Sequence, residues 1–134
     1  MGCFRSIDEA REYFRGDTFA MTNGIKIDSL SDEKCTCSIR IRDDHRNAMG
    51  GIMGGVIFTL ADFAMAVMNN NLHRPTVAMD MNISFLASSK GEHLTACAKW
   101  VKDGKNTTAC TILITDEFDK KIALVTGTGF KIAD

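Results

Sequence analysis

An unbroken apolar segment near the middle of the chain limits what this sequence can fold into more than any other feature. Residues 56–68 follow the pair Gly54-Gly55, contain neither glycine nor proline, and place apolar side chains on every side of a helix. A helix with that pattern belongs in the interior of a protein. It is shorter than the roughly 20 apolar residues that cross a bilayer, and Asp62 interrupts it. We therefore predict a soluble helix, beginning at residue 54 or 55, that the rest of the chain surrounds.

Asp62 is the unusual residue of this helix. Aspartate is unfavourable in a helix interior, and a buried carboxylate costs free energy unless it is paired. A structural aspartate would bond to a neighbouring asparagine, arginine or backbone N–H. A functional one would take part in chemistry, because perturbed carboxylates occur both in structural networks and in active sites.

Composition excludes several classes of partner. The chain has 134 residues, which we interpret as one domain spanning residues 1–134, and a net charge of −1. That charge gives no reason to expect nucleic acid or a membrane surface as a partner. The five cysteines include no C-x-x-C pair and the three histidines are scattered, so we expect free thiols and no metal site. No signal peptide is visible, and we expect a cytoplasmic protein.

The flanking segments predict a short helix and a sheet. Ser6 and Glu9 fit the capping-box pattern, and Gly16 ends that N-terminal helix. Alternating or β-branched segments and turn signals then predict strands. These strands fall within residues 19–30, 35–42, 77–87, 93–102, 107–115 and 121–132.

The predicted strands define the fold class. The later ones are joined by short turns, which favours an antiparallel meander. The economical way to bury a helix that is apolar all round is to curl this sheet about it, giving an α+β domain of five to six strands with a central helix. Trp100, Val101, Ile112 and Ile114 suggest that the outer face is partly apolar too. We expect at least a dimer, in which sheet edges pair between chains.

The start of the central helix offers a site for a developing negative charge. A helix N-terminus presents unpaired N–H groups, and Gly54 and Gly55 let a ligand approach them closely. This arrangement is typical of an oxyanion hole, with Asp62 as general base or nucleophile. Asp62 lies eight residues beyond Gly54, which is roughly 12 Å along the axis. The chemistry therefore requires Asp62 of one chain to face Gly54 of another.

The ordered residues of this region resemble a known family. His45-x-Asn47-x-x-Gly50, then Gly54-Gly55, then Leu60-Ala61-Asp62 resembles the motif of hotdog-fold acyl-CoA thioesterases of the PaaI-like branch, related to 4-hydroxybenzoyl-CoA thioesterases. Residues 80–86 and the Gly104-Lys105 turn are also similar, so that the resemblance covers about residues 19–131.

The resemblance implies a function and a set of site residues. The expected reaction is hydrolysis of an acyl-CoA thioester to a carboxylic acid and free CoA, with no cofactor beyond the coenzyme A of the substrate. The catalytic group would comprise Asp62, the Gly54 and Gly55 N–H groups, and Asn47 from the other chain. The expected assembly is a homo-oligomer, either a dimer or a dimer of dimers (a homotetramer). Implied substrate-binding positions are His45, Met53, Phe58, Ala78, Lys90, Gly104 and Lys105.

Two departures from the family pattern leave an alternative open. Met53 replaces the family's histidine before the glycine pair, and Ala78 stands where related thioesterases often carry serine or threonine. Both changes remove hydrogen-bonding capacity, so a non-catalytic acyl-CoA-binding protein is the alternative, and a hotdog dehydratase or hydratase is a third. The acyl group stays open, because Phe58, Phe63, Met65 and Phe85 could line an aromatic or an aliphatic pocket.

Overall fold

The computed structural model, which describes residues 2–132, consists of one six-stranded antiparallel sheet and a long helix packed against it. The described helices are α1 (Ile7–Phe14), α2 (Thr18–Thr22) and α3 (Gly54–Leu72). The strands are β1 (Lys26–Leu30), β2 (Lys34–Arg40), β3 (Thr76–Phe85), β4 (His93–Asp103), β5 (Thr107–Asp116) and β6 (Lys121–Lys131). The predicted hotdog-type α+β architecture, with its central helix and short N-terminal helix, is confirmed. The Ser6 hydroxyl caps α1 as expected, accepting the Glu9 N–H at 3.2 Å.

Helix α3 begins at Gly54, within the predicted bounds, and runs four residues beyond Met68. It packs against β2, β3, β4, β5 and β6. One face is not fully covered: Gly55, Thr59, Asp62 and Ala66 recur at intervals of four, three and four residues and are all partly exposed. We call these four residues the open stripe of α3. The helix is therefore enclosed by the sheet on most of its circumference but not all of it.

The strand order differs in one respect from the predicted meander. The sheet runs β1-β2-β4-β5-β6-β3, so that β3 pairs with β6 rather than with β4. β4 instead lies beside β2, and the two strands that flank α3 in sequence lie on opposite sides of the β4–β5–β6 meander. This order lets the sheet curve around both sides of α3. Ile112 and Ile114, expected on the outer face, are fully buried beneath the helix, and that expectation is wrong.

The two edges of the sheet are treated differently. Arg11 of α1 donates two hydrogen bonds to the Ile27 carbonyl of β1, at 3.0 and 2.8 Å, which partly covers that edge. The β3 edge has no pairing partner among the described residues and carries exposed apolar side chains. These side chains are Val77, Met79, Phe85 and, just beyond the strand, Leu86. An unpaired, apolar strand edge is a surface on which another strand can pair.

Three buried asparagines fasten the C-terminal end of α3. Each carboxamide oxygen accepts a hydrogen bond from a different part of the chain. Asn69 accepts from the Thr108 hydroxyl at 2.9 Å, Asn70 from the Thr76 N–H at 2.9 Å, and Asn71 from the Phe4 N–H at 3.4 Å. None of the described helices is long and apolar enough to span a membrane.

Candidate active site

His45 organises the loop that leads into α3. Its ring is buried, its Nδ1 accepts the Arg42 N–H at 3.0 Å, and its Nε2 lies 3.1 Å from the side-chain oxygen of Asn23. This pattern requires the neutral tautomer, protonated at Nε2. Burial, reinforced by the Arg42 charge, lowers the pKa of His45. The His45 carbonyl also accepts the Met53 N–H at 2.9 Å, so the residue ties together both ends of the loop.

Asn47 closes a tight turn within the same loop. Its side-chain oxygen accepts the N–H groups of Met49 and Gly51, at 3.0 and 3.1 Å. Gly50 adopts φ +83°, a backbone conformation that residues other than glycine rarely adopt. The Asn47 Nδ2 group makes no hydrogen bond to the described residues and lies at the edge of a pocket. It therefore remains able to donate to a ligand.

The N-terminus of α3 presents two unused donors. The first turn begins with the Val56 N–H donating to the Met53 carbonyl at 3.0 Å, and the Met53 side chain makes no capping bond. Neither the Gly54 N–H nor the Gly55 N–H donates to any described residue. The helix dipole adds a partial positive charge at this end. A Cβ at Gly54 would lie 2.9 Å from Cζ of Phe85, so only glycine fits here without displacing that ring.

Two pockets lie on opposite sides of this helix end. The Gly54-side pocket has a volume of about 600 Å³ and a mainly apolar surface. Its lining includes Asn47, Gly54, Phe85, Leu86, Ser88 and Ser89. The Gly55-side pocket has a volume of about 320 Å³. Its lining combines the apolar Phe19, Ile25, Ile39, Met53 and Val56 with the polar Asn23, Asp44, His45 and Thr59.

Asp62 lies two turns further along the open stripe of α3, on the same face as Gly55. Its carboxylate makes no hydrogen bond or ion pair with any residue that the structure describes. Burial raises the pKa of Asp62, and the negative charge of the nearby Asp17 carboxylate raises it further by a smaller amount. The structural role considered from the sequence needs a bonded partner, and residues 2–132 supply none. A half-buried, unpartnered carboxylate of raised pKa is characteristic of a functional site.

The remaining predicted positions fall in four places. Ala78 is exposed at the β3 bulge, and Phe58 is half-buried on α3. Lys90 is exposed in the β3–β4 loop, next to the serines of the Gly54-side pocket. Gly104 and Lys105 form the β4–β5 turn near the C-terminal end of α3. These substrate-binding assignments stay predictions.

The structure thus gathers some predicted residues and separates others. Asn47, Met53, Gly54 and Gly55 lie together at the start of α3, while Asp62 is roughly 12 Å further along the axis. The Gly104-Lys105 turn is at the far end, where the preceding Asp103 bonds His73 at 2.8 Å. Within residues 2–132, no group of three or more His, Cys, Asp or Glu side chains could hold a metal ion.

Sequence reasoning missed the Gly55-side pocket. Phe19 reaches it from α2, a five-residue helix that the sequence did not suggest to us, although Asp17 caps it by accepting the Ala20 N–H at 3.1 Å. An aspartate three residues before a helical N–H is a recognisable capping signal. Val56 could have been predicted as a lining residue of this pocket, because it directly follows the glycine pair at the helix start.

A curved antiparallel sheet around one central helix is the hotdog arrangement, and known thioesterases share it with this chain. The structure of the Escherichia coli PaaI protein matches with a TM-score of 0.88 and 29% identity, over 92% of this chain and 91% of that one. In sequence, Escherichia coli acyl-coenzyme A thioesterase PaaI is 30% identical over 124 residues, 92% of this chain and 89% of that protein.

Mouse acyl-coenzyme A thioesterase 13 is 31% identical over 97 residues, which is 70% of this chain and 69% of the mouse protein. The model of the thioesterase superfamily matches residues 49–123, more than half of the chain. The chain therefore belongs to the thioesterase superfamily, and its PaaI-like, hotdog-fold character, expected from the motif, is confirmed.

Proposed function

We propose that this protein hydrolyses an acyl-CoA thioester to a carboxylic acid and free CoA, using Asp62 as the base. The observation that carries the proposal is the Asp62 carboxylate, which is half-buried, unpartnered among the described residues and raised in pKa. A raised pKa brings a carboxylate closer to the working pH, where it accepts a proton more readily than an ordinary aspartate. The related thioesterases support the same reaction class.

The separation between Asp62 and the helix start calls for two chains. Gly54 and Asp62 are too far apart for one thioester carbonyl to meet both. The midpoint between them is Phe58. A two-fold axis near Phe58, relating two antiparallel copies of α3, would place Asp62 of one copy opposite Gly54 and Gly55 of the other. The apolar, unpaired β3 edge supports such an association, because two copies can continue the sheet through it.

The chemistry follows from these positions. Asp62 removes a proton from a water molecule as that water attacks the thioester carbon. The carbonyl oxygen becomes negative and receives hydrogen bonds from the Gly54 and Gly55 N–H groups of the other copy, which have no partner within residues 2–132. Collapse of the tetrahedral intermediate breaks the carbon–sulfur bond, and the departing CoA thiolate takes up the proton. Direct attack by the Asp62 carboxylate is the variant of this route in which water enters second.

The Gly54-side pocket suits the pantetheine arm of CoA. Its mixed lining offers the free Asn47 Nδ2 donor and the exposed Ser88. Pantetheine carries two amide groups, which require such partners when they leave water. We therefore place the sulfur side of the substrate against Asn47 and Phe85.

A non-catalytic acyl-CoA-binding protein is the second candidate. Met53 caps α3 without a side-chain hydrogen bond, and Ala78 carries no hydroxyl, so neither can hold a water at the carbonyl. The free Asp62 carboxylate favours the enzyme, because a binding protein gains nothing from an unpaired, half-buried charge.

Replacing Asp62 with asparagine should lower thiol release from acyl-CoA by roughly 10³-fold, since general-base catalysis contributes 10²–10⁴-fold. Release is followed with a chromogenic thiol reagent over short, medium, long and aromatic esters. The matched control is Asp8→Asn, which removes an exposed carboxylate of α1 and should retain activity. Undiminished turnover by Asp62→Asn contradicts the mechanism. Saturable binding with no release by the unmodified protein selects the second candidate.

A further inference from the structure

We propose that the Gly55-side pocket holds the acyl group of the substrate, and that this group is apolar and carries no hydroxyl. The inference rests on the proposed function and adds to it the substrate class. It assigns the two sides of the helix start to the two halves of the thioester, the acyl group on the Gly55 side and the pantetheine arm on the Gly54 side.

The walls of this pocket offer apolar surface, and its polar side chains already make hydrogen bonds within the protein. Thr59 donates its hydroxyl to the Gly55 carbonyl at 2.7 Å, so its one hydroxyl proton is already used. Asn23 uses its oxygen on His45 and donates its Nδ2 to the Phe19 carbonyl at 2.9 Å. Asp44, at the rim, accepts two bonds from Arg42, at 3.0 and 3.1 Å. His45 is engaged through both ring nitrogens, so every polar side chain of the lining already makes at least one hydrogen bond.

The position of the pocket matches the acyl side of a carbonyl bound at the helix start. Gly55, whose N–H is unused, belongs to the lining. In the proposed orientation, the acyl chain attached to a carbonyl held at that N–H runs toward Val56 and Thr59. Phe19 and Met53 at the mouth are 67% and 55% exposed, so an occupying chain would remove large apolar side chains from water. A polar group in the same place would gain little from contact with these apolar side chains.

The size of the pocket limits the acyl chain. A volume of about 320 Å³, divided by roughly 30 Å³ for a water-sized group, accommodates about ten heavy atoms. Activity should therefore rise from acetyl to octanoyl or decanoyl and then level off. Each methylene buried in the pocket raises kcat/KM by at most about fourfold.

The engaged polar groups disfavour hydroxylated acyl groups. A hydroxyl placed among Phe19, Ile25 and Ile39 finds no partner and loses its bonds to water. We expect 4-hydroxybenzoyl-CoA to be hydrolysed about tenfold less efficiently than benzoyl-CoA. Equal or better use of the hydroxylated ester overturns the assignment.

The test compares one variant on each side of the helix start. Val56→Phe fills the Gly55-side pocket, and Leu86→Trp fills the Gly54-side pocket as the matched control. The measured quantity is the ratio of kcat/KM for octanoyl-CoA to that for acetyl-CoA. We expect Val56→Phe to lower this ratio at least tenfold and Leu86→Trp to change it less than twofold. Phe19→Ala, at an exposed position that should not disturb folding, is the second variant and should lower the ratio as well.

The outcomes separate this inference from the proposed function. If the unmodified protein releases no thiol, or Asp62→Asn stays active, the proposed function fails. The pocket is then tested by calorimetry, as the ratio of the Kd values for acetyl-CoA and octanoyl-CoA in the same variants. If turnover occurs but the ratio is unchanged by Val56→Phe and Phe19→Ala, or falls equally with Leu86→Trp, the acyl group lies elsewhere and the inference is overturned.

Discussion

Replacing His45 with alanine tests how the loop before α3 is held, and we expect it to cost roughly 3 kcal/mol of unfolding free energy. The ring is 1% exposed and forms two hydrogen bonds, one with the Arg42 N–H and one with the Asn23 side chain. Each bond contributes about 1 kcal/mol. The space left by the ring adds a further loss of about 1 kcal/mol.

Thermal denaturation at pH 7.5 measures this cost. With an unfolding entropy of about 2.1 cal/mol/K per residue, a loss of 3 kcal/mol lowers Tm by roughly 10 °C for a chain of this length. Asn23→Ala and the double variant complete a thermodynamic cycle. The coupling between the two residues should be about 1 kcal/mol, because they share one hydrogen bond.

The stability lost in His45→Ala should also depend on pH. The pKa of His45 is lowered in the folded protein, so the unfolded chain binds the proton more readily. The stabilisation from His45 is complete above the unfolded value of about 6.5 and is lost as the pH falls below it. The stability gap between the unmodified protein and His45→Ala should therefore narrow from pH 7.5 to 5. A loss below 1 kcal/mol at pH 7.5, or a gap that does not change with pH, refutes the role given to this histidine.

Two further substitutions test charge and packing. Asp17→Asn keeps the α2 cap but removes a carboxylate that raises the pKa of Asp62, so the acidic limb of kcat/KM against pH should move to lower pH; an unmoved limb contradicts the coupling. Gly129→Ala places a Cβ 2.6 Å from the Thr108 hydroxyl and should destabilise the fold by about 2 kcal/mol in urea denaturation. Gly16→Ala, whose Cβ meets nothing nearer than 3.6 Å, is the control, and equal losses in the two variants would argue against a steric cause.

The fold was predictable where local pattern decides structure. The all-round apolar segment specified α3, and period-two alternation specified β1 and β2. Helix α2 escaped because five residues give no periodicity. The pairing of β3 with β6 was not predictable, because the turn lengths of β3 and β4 allow them to be neighbours and only the packing around α3 decides otherwise.

The site was predictable to the extent that it is contiguous in sequence. Asn47, Gly54, Gly55 and Asp62 lie within one short segment, so a motif could indicate them together. The ring of Phe85 against Gly54 joins residues 31 positions apart, and no local pattern records such a contact. Likewise, that Asp62 has no partner among the described residues depends on the placement of every side chain that could have approached it.

The asparagines at the end of α3 have a consequence for the orientation of the helix. An apolar helix in an apolar groove has little to fix its rotation about its own axis, because the hydrophobic effect is not directional. Asn69, Asn70 and Asn71 point outward at intervals of roughly 100° and each meets a different partner, so only one azimuth satisfies all three. A slip of one residue would turn Asp62 by the same angle, away from the open stripe and toward the sheet. The direction in which the Asp62 carboxylate points is thus fixed at the opposite end of the helix, by side chains that take no part in the chemistry.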